Sequence, residues 1–319
     1  MTFSSSVKNE LSENIDKARH CQIAELAAII GQNGSYILRP GGSVMLTMAS
    51  ENIFIIRKAE RLLRLAFSIV PQLSVARSRE WNGISCALVI RNQEDVDRVL
   101  SATKYMLGNG VLLELRLPVD RRVIQAECCK KAYLRGLFLC SGSVNNPARS
   151  YHFEISFEDR KRAAQVVELI GSFGIESKIT AHKNMSIVYI KEGDLIADVF
   201  RVMGAPRSLM EYENARILRS ITGDVNRKVN CEMANLAKSV SAGMEQMADI
   251  DLISMRLGLD SLPDSLRKAA LIRMEYPEES LAELGNKMDP PVGKSGLNHR
   301  FRRLKEIAYK LRQGEIEPD

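Results

Sequence analysis

Several protein classes are excluded by what this chain lacks. No uncharged apolar run approaches the roughly 18–20 residues that a membrane span needs. The N-terminus, Met1-Thr2-Phe3-Ser4-Ser5-Ser6-Val7-Lys8, has no basic stretch leading into an apolar one, so no secretory signal is expected. Cysteines occur at Cys21, Cys86, Cys128, Cys129, Cys140 and Cys231, but none forms a Cys-x-x-Cys pair. His20, His152, His182 and His299 do not supply the missing partners, and no structural zinc is expected. Adjacent Cys128 and Cys129 read as buried small residues rather than a redox pair, and the thiols as reduced in a cytoplasm.

What is present points to a multidomain protein with one concentrated charge. At 319 residues the chain is long for one core, so two or three domains are expected. Apolar content of 45% and charged content of 26% are those of an ordinary globular protein. Net charge is +6, and residues 294–313 alone account for it, with seven basic residues and the single acid Glu306. A cationic segment this dense implies an acidic partner, nucleic acid first, although a charge run can also be merely a solvated helix face.

A long internal repeat organises the rest. Leu26-Ala27-Ala28-Ile29-Ile30-Gly31-Gln32-Asn33-Gly34 and Leu134-Arg135-Gly136-Leu137-Phe138-Leu139-Cys140-Ser141-Gly142 each read as an apolar helix closed by glycine. Downstream of the first, residues 43–48 read as a strand, 51–70 as a helix and 73–76 and 84–90 as strands. A turn is placed at Trp81-Asn82-Gly83, and a helix over 94–107 stops at Gly108. The second copy repeats the order: helix 131–140, strand 151–157, helix 158–173, strands 176–180 and 186–190, helix 193–203. Each unit is α-β-β-α-β-β-α at minimum. Ala27, Ala28, Gly31 and Gly136 would let two helix backbones cross closely at a pseudo-two-fold axis. The bland alternative is a pair of core helices that end in glycine.

The C-terminal third is helical. Residues 7–15, at the other end of the chain, read as a short amphipathic helix. Residues 211–255 carry Leu236, Val240, Met244, Met247 and Ile250 at helical spacing, expected to pack on their neighbours. Asn226-Arg227-Lys228 and Lys238 add basic character. A helix over about 265–274 follows Pro263. Ser280-Leu281-Ala282-Glu283 is a capping box opening a second helix, and Asp289-Pro290-Pro291 stops it. In the third, about 295–312, Leu297, Phe301, Leu304, Ala308 and Leu311 form one apolar stripe. Asn298, Arg302 and Lys305 fall on another face, flanked by His299 and Arg303, as a major-groove recognition helix requires. Lys294, Ser295 and Asn298 lie at its N-terminal end.

The nonapeptides resemble the LAGLIDADG motif of homing endonucleases, and the whole chain resembles the WhiA family. The resemblance is strongest in Asn230-Cys231-Glu232-Met233-Ala234-Asn235-Leu236 and in Pro290-Pro291-Val292-Gly293-Lys294-Ser295-Gly296-Leu297-Asn298-His299-Arg300-Phe301-Arg302-Arg303-Leu304. The family usually has a hydroxyl residue where Gly293 stands. The resemblance implies an α+β fold of two pseudosymmetric αββαββα repeats followed by an all-α helix-turn-helix domain. It also implies transcriptional regulation in cell division, chromosome segregation or sporulation in Gram-positive bacteria.

In LAGLIDADG nucleases an acid precedes each closing glycine and holds divalent cations. Those positions here are the neutral Asn33 and Ser141, and neighbouring Gln32 and Cys140 do not restore the charge, so cleavage is not expected. Arg77, Arg79, Arg91, His182 and Lys183 could face a duplex, whereas Glu80, Asp95, Glu154 and Glu158 would repel it.

The expected organisation is an N-terminal helix or arm at 1–22 and a tandem-repeat domain at 23–210, with repeats at about 23–117 and 131–205. A helical linker at 211–259, a helix-turn-helix domain at 260–313 and an acidic tail at 314–319 complete it. DNA contact is assigned to Lys294, Ser295, Asn298, His299, Arg300, Arg302, Arg303 and Lys305. The expected partner is double-stranded DNA, with another transcription factor or RNA polymerase as a protein partner. No cofactor, metal, membrane or small-molecule substrate is expected, and the place is the cytoplasm, at the nucleoid. Rivals are an active nuclease and a protein-interaction scaffold with incidental DNA contacts.

Overall fold

The computed structural model describes residues 2–39, 42–77 and 84–315. The expected turn at Trp81-Asn82-Gly83, together with Arg79, Glu80 and residues 316–319 of the tail, lies outside them. The chain divides into two compact units, Met1–Ser220 and Ile221–Asp319.

The first unit contains the repeat. After α1 (Phe3–Glu13), copy one runs α2 (Arg19–Asn33), β1 (Gly34–Leu38), β2 (Val44–Ser50), α3 (Ile53–Phe67), β3 (Gln72–Arg77), β4 (Ile84–Ile90), α4 (Gln93–Ala102). Copy two runs α5 (Glu127–Ser141), β5 (Gly142–Val144), β6 (Phe153–Phe157), α6 (Arg160–Gly171), β7 (Lys178–His182), β8 (Met185–Ile190), α7 (Gly193–Met203). Each copy is αββαββα, and each builds an antiparallel four-stranded sheet in the same order, β1-β2-β4-β3 and β5-β6-β8-β7. Local chemistry sets the helix starts: Asn52, Asn92 and Asp159 each accept a hydrogen bond from a first-turn backbone N–H of α3, α4 and α6.

Two departures from the sequence reading have local causes. β1 and β5 begin at the very residue that caps the preceding helix, so no turn signal separates helix from strand. Gly34 and Gly142 have φ of −83° and −82°, open to any residue. What they need is space. A Cβ on Gly34 would stand 2.4 Å from the Ile30 carbonyl oxygen, and one on Gly142 2.3 Å from the Phe138 ring. The helix expected over 94–107 ends at Ala102, where buried Thr103 turns its hydroxyl back to the Val99 carbonyl (2.8 Å). Lys104 then takes a positive φ of 62°, and Met106 pairs with Leu112 in a β-bridge.

α2 and α5 cross at the centre of this unit. A Cβ on Gly136 would lie 2.8 Å from both the Ala28 Cβ and the Glu25 carbonyl oxygen, so only glycine permits the approach. Charges are buried there. Arg135 binds Glu25 through two bonds of 2.9 and 2.8 Å and also reaches Asp16. Lys58 donates to Glu25 (3.0 Å) and to the carbonyls of Leu11 (3.1 Å) and Asn14, tying down the end of α1. Buried Glu10 of α1 accepts from the backbone N–H groups of Arg207 and Ser208, both at 2.8 Å, at the start of α8 (Pro206–Arg256).

Candidate nucleic-acid interface

In the second unit, α9 (Asp264–Glu275), α10 (Leu281–Lys287) and α11 (Lys294–Gln313) close around one apolar core with Ile250 and Ile253 of α8. Ser280 and Glu283 form the expected capping box on α10. Gly285 lets the segment before α11 fold back on α10. Val292 N–H donates to the Gly285 carbonyl (2.9 Å), and a Cβ at 285 would stand 2.1 Å from the Val292 carbonyl oxygen. Leu297, Phe301, Leu304, Ala308 and Leu311 are all buried, so the apolar stripe sets which way α11 is rotated.

That rotation distributes the expected contact residues unequally. Lys294, Ser295, Asn298, His299, Arg302 and Arg303 are exposed. Asn298 and Arg302 border a cleft of about 210 Å³ completed by Glu245, Gln246 and Asp249 of α8. Lys305 lies at the same cleft but is already paired with Glu245 (2.9 Å), which raises its pKa. Arg300 is half-buried and turned inward, 3.5 Å from the Ser265 carbonyl oxygen and 3.7 Å from the Met288 sulfur. Arg312 is paired with buried Asp249 (2.7 Å). Gly293 precedes α11 as its N-cap and supplies no side-chain acceptor to the first-turn N–H groups.

The α8 stripe departs from expectation. Leu236, Val240 and Met244 are 58%, 50% and 71% exposed, and only Met247 and Ile250 turn inward. The other three helices gather around the last turns of α8, leaving the earlier apolar side chains without a partner among the described residues of this unit.

In the repeat unit, the residues in the nuclease positions make neutral contacts. Asn33 donates to the Ala49 carbonyl (3.0 Å), and Gln32 bridges the two helix ends by donating to Ser141 Oγ (2.9 Å) and the Ser156 carbonyl (3.3 Å). Arg91, His182 and Lys183 are exposed. Glu154 binds His152 (2.9 Å), Glu158 pairs with Arg116 (3.5 Å), and Asp95 pairs with Arg98 (3.1 Å).

Three family models match this chain in sequence. They are the WhiA N-terminal LAGLIDADG-like domain over residues 19–105, the WhiA LAGLIDADG-like domain over 130–222 and the WhiA C-terminal HTH domain over 225–308. The chain belongs to the WhiA family. Among curated relatives, "Probable cell division protein WhiA" of Lachnoclostridium phytofermentans is 41% identical over 98% of this chain and 100% of its own length. The protein of the same name from Lachnospira eligens is 42% identical over 98% of each chain. Among solved structures, full-length DUF199/WhiA from Thermatoga maritima is 26% identical, covering 97% of this chain and 99% of its own, with a TM-score of 0.57.

This WhiA-family chain also holds a group that the sequence reading dismissed. His20 and Cys21 of α2 meet Cys128 and Cys129 of α5, with their potential ligand atoms all within 4.8 Å of one another. Spacing along the chain does not announce this group, because the partners are about a hundred residues apart. Cys128, expected buried, is exposed. Burial first, and then a hydrogen bond with Cys128, pushes the Cys21 thiol up to about 12, so nothing there marks a reactive thiolate. The signal was available only by aligning the repeats: both pairs occupy the second and third positions of their helices.

Proposed function

We propose that this chain is a non-catalytic, sequence-specific DNA-binding transcriptional regulator acting in cell division, chromosome segregation or sporulation. The observation that carries the reading is the rotation of α11. Its whole apolar stripe is buried, which directs Ser295, His299, Arg302 and Arg303 outward, with Lys294 and Asn298 at the same end. Arginine pairs bidentately with guanine and asparagine with adenine, so Arg302 and Asn298 are the proposed base readers. Lys294, Ser295, His299 and Arg303 flank them, while Arg300 and Lys305 act once released from their present contacts. The helix-turn-helix match and the names of the relatives support this reading. In the proposed division of labour, 1–22 is the N-terminal helix or arm, 23–210 the repeat domain, 211–259 the linker, 260–313 the reader and 314–319 the tail. Its proposed place is the cytoplasm, at the nucleoid, with RNA polymerase or another transcription factor as protein partner.

The repeat domain is proposed to be without nuclease chemistry. Hard cations in phosphodiester cleavage need anionic oxygen ligands, and Asn33, Ser141 and the bridging Gln32 are neutral. A second reading, a protein scaffold, draws on the exposed α8 side chains Val225, Val229, Met233, Leu236, Val240 and Met244. Genome-wide crosslinking of the full-length protein, followed by gel shifts on the enriched sequences with magnesium present, separates the readings. Expected are discrete sites bound intact. Crosslinking spread evenly along the chromosome would favour the scaffold, and cut duplex would restore the nuclease.

A further inference from the structure

The pseudo-dyad that joins α2 to α5 has two ends, and they differ in chemistry. At the C-terminal end stand the neutral Asn33, Gln32 and Ser141. At the N-terminal end His20 Nδ1 lies 3.1 Å from Cys129 Sγ, 3.4 Å from Cys21 Sγ and 4.0 Å from Cys128 Sγ. We propose that His20, Cys21, Cys128 and Cys129 hold one thiophilic divalent cation, zinc foremost, in a structural site that clasps the two repeats.

Three arguments carry the assignment. The first is metric. Zn–N bonds of about 2.0–2.1 Å and Zn–S bonds of about 2.3 Å, set at tetrahedral angles, separate nitrogen from sulfur by about 3.5 Å. The three observed separations straddle that value, and all four ligand atoms fall within 4.8 Å of one another. The second is donor chemistry. Three sulfurs and an imidazole nitrogen suit zinc and other thiophilic ions, and reject magnesium and calcium, which demand oxygen. Four protein ligands fill a tetrahedron, leaving no position for water or substrate, so the role is structural.

The third is placement. Each pair sits in the first turn of its helix, so the crossing of α2 and α5 itself brings the four ligands together. The pairs come from equivalent positions of the two copies, His20 matching Cys128 and Cys21 matching Cys129. Cys21 and Cys129 are buried while His20 and Cys128 are exposed, which leaves the ion a path from solvent. Binding replaces the thiol protons by the cation, releasing them to solvent, and breaks no covalent bond between heavy atoms.

The test uses the full-length protein, purified under reducing conditions without chelator, beside Cys128→Ser and His20→Asn, which alter only exposed ligands. Metal content by mass spectrometry should give one zinc per wild-type chain. Cobalt(II) added to stripped protein should give the intense visible bands of a tetrahedral thiolate complex. Each variant should lose zinc affinity by more than the roughly 10–100-fold that removing an outer-shell partner costs, while circular dichroism shows the fold kept. Chelator should lower the melting temperature of the wild type and leave that of the variants unmoved. Reduced wild type that retains no zinc and gives only the weak bands of octahedral cobalt would overturn the proposal. So would zinc content unchanged in both variants, or a disulfide among these cysteines in protein prepared anaerobically from cells.

Discussion

The cations at the centre of the repeat unit and those along α11 are placed in opposite ways. In the repeat unit Arg135, Lys58 and Arg162 are buried, and their charge is consumed by Glu25, by Asp16 and by the carbonyls of Leu11, Asn14, Gly31 and Leu115. In α11 Lys294, Arg302, Arg303 and Lys310 are exposed, and only some neighbours, Lys305 and Arg312, are matched by acids of α8. The net charge of the chain therefore says little about function, and its burial says much. A buried cation without its partner is a large cost, so such cations specify packing. An exposed cluster on a rigid helix remains free to release counterions from a phosphate backbone.

The largest effect should come from removing a buried cation. Arg135→Ala leaves Glu25 with Lys58 alone and opens a space between α2 and α5, a loss of about 3–5 kcal/mol. Chemical denaturation followed by circular dichroism should show the repeat unit melting earlier, while α11 keeps its helicity. A loss below about 1 kcal/mol would mean that the network is solvated and the contrast between the units false.

A smaller effect, on binding rather than stability, is expected in α11. Arg302→Ala should weaken binding to a selected duplex by about 1–3 kcal/mol and relax preference at one base position. Lys310→Ala should weaken matched and scrambled duplexes alike and lower the salt slope by about one unit. Titrations at two salt concentrations distinguish them. Equal behaviour of the two variants would remove Arg302 from base reading.

The finest test is of pH. Burial, opposed in part by Glu25, lowers the Lys58 pKa to about 8. In the unfolded chain the amine keeps its proton to its ordinary value of 10.5, so between these pH values the unfolded state binds more protons. Stability should therefore rise with pH across that window relative to Lys58→Met, which lacks the titration. Parallel stability profiles for the two proteins between pH 8 and 10 would show that Lys58 is not desolvated in this way.

Much of the architecture was legible because it rests on local or repeated patterns. The α11 stripe from Leu297 to Leu311 is buried as its spacing requires, and the Ser280–Glu283 box forms because its two bonds close within one turn. The α2–α5 crossing was legible from small residues, and Gly34 and Gly142 close their helices where a Cβ would have no room. β1 and β5 were not, since neither is set off from its helix by a turn. The α8 stripe misled, because periodicity reports a face and not whether anything covers it.

The sequence by itself determined the repeat, the order of its longer elements, the neutral residues at 33 and 141 and the amphipathic basic helix. Each follows from chemistry carried within a few turns of chain or copied between two segments. Only the tertiary structure decided that Arg300 turns inward, that Lys305 is matched by Glu245, and that Glu25, Lys58 and Arg135 share one buried site. It alone brought His20 and Cys21 to Cys128 and Cys129. These depend on which faces of distant helices meet, and that is settled when α2 and α5 bury their small residues against each other, not by any spacing along the chain.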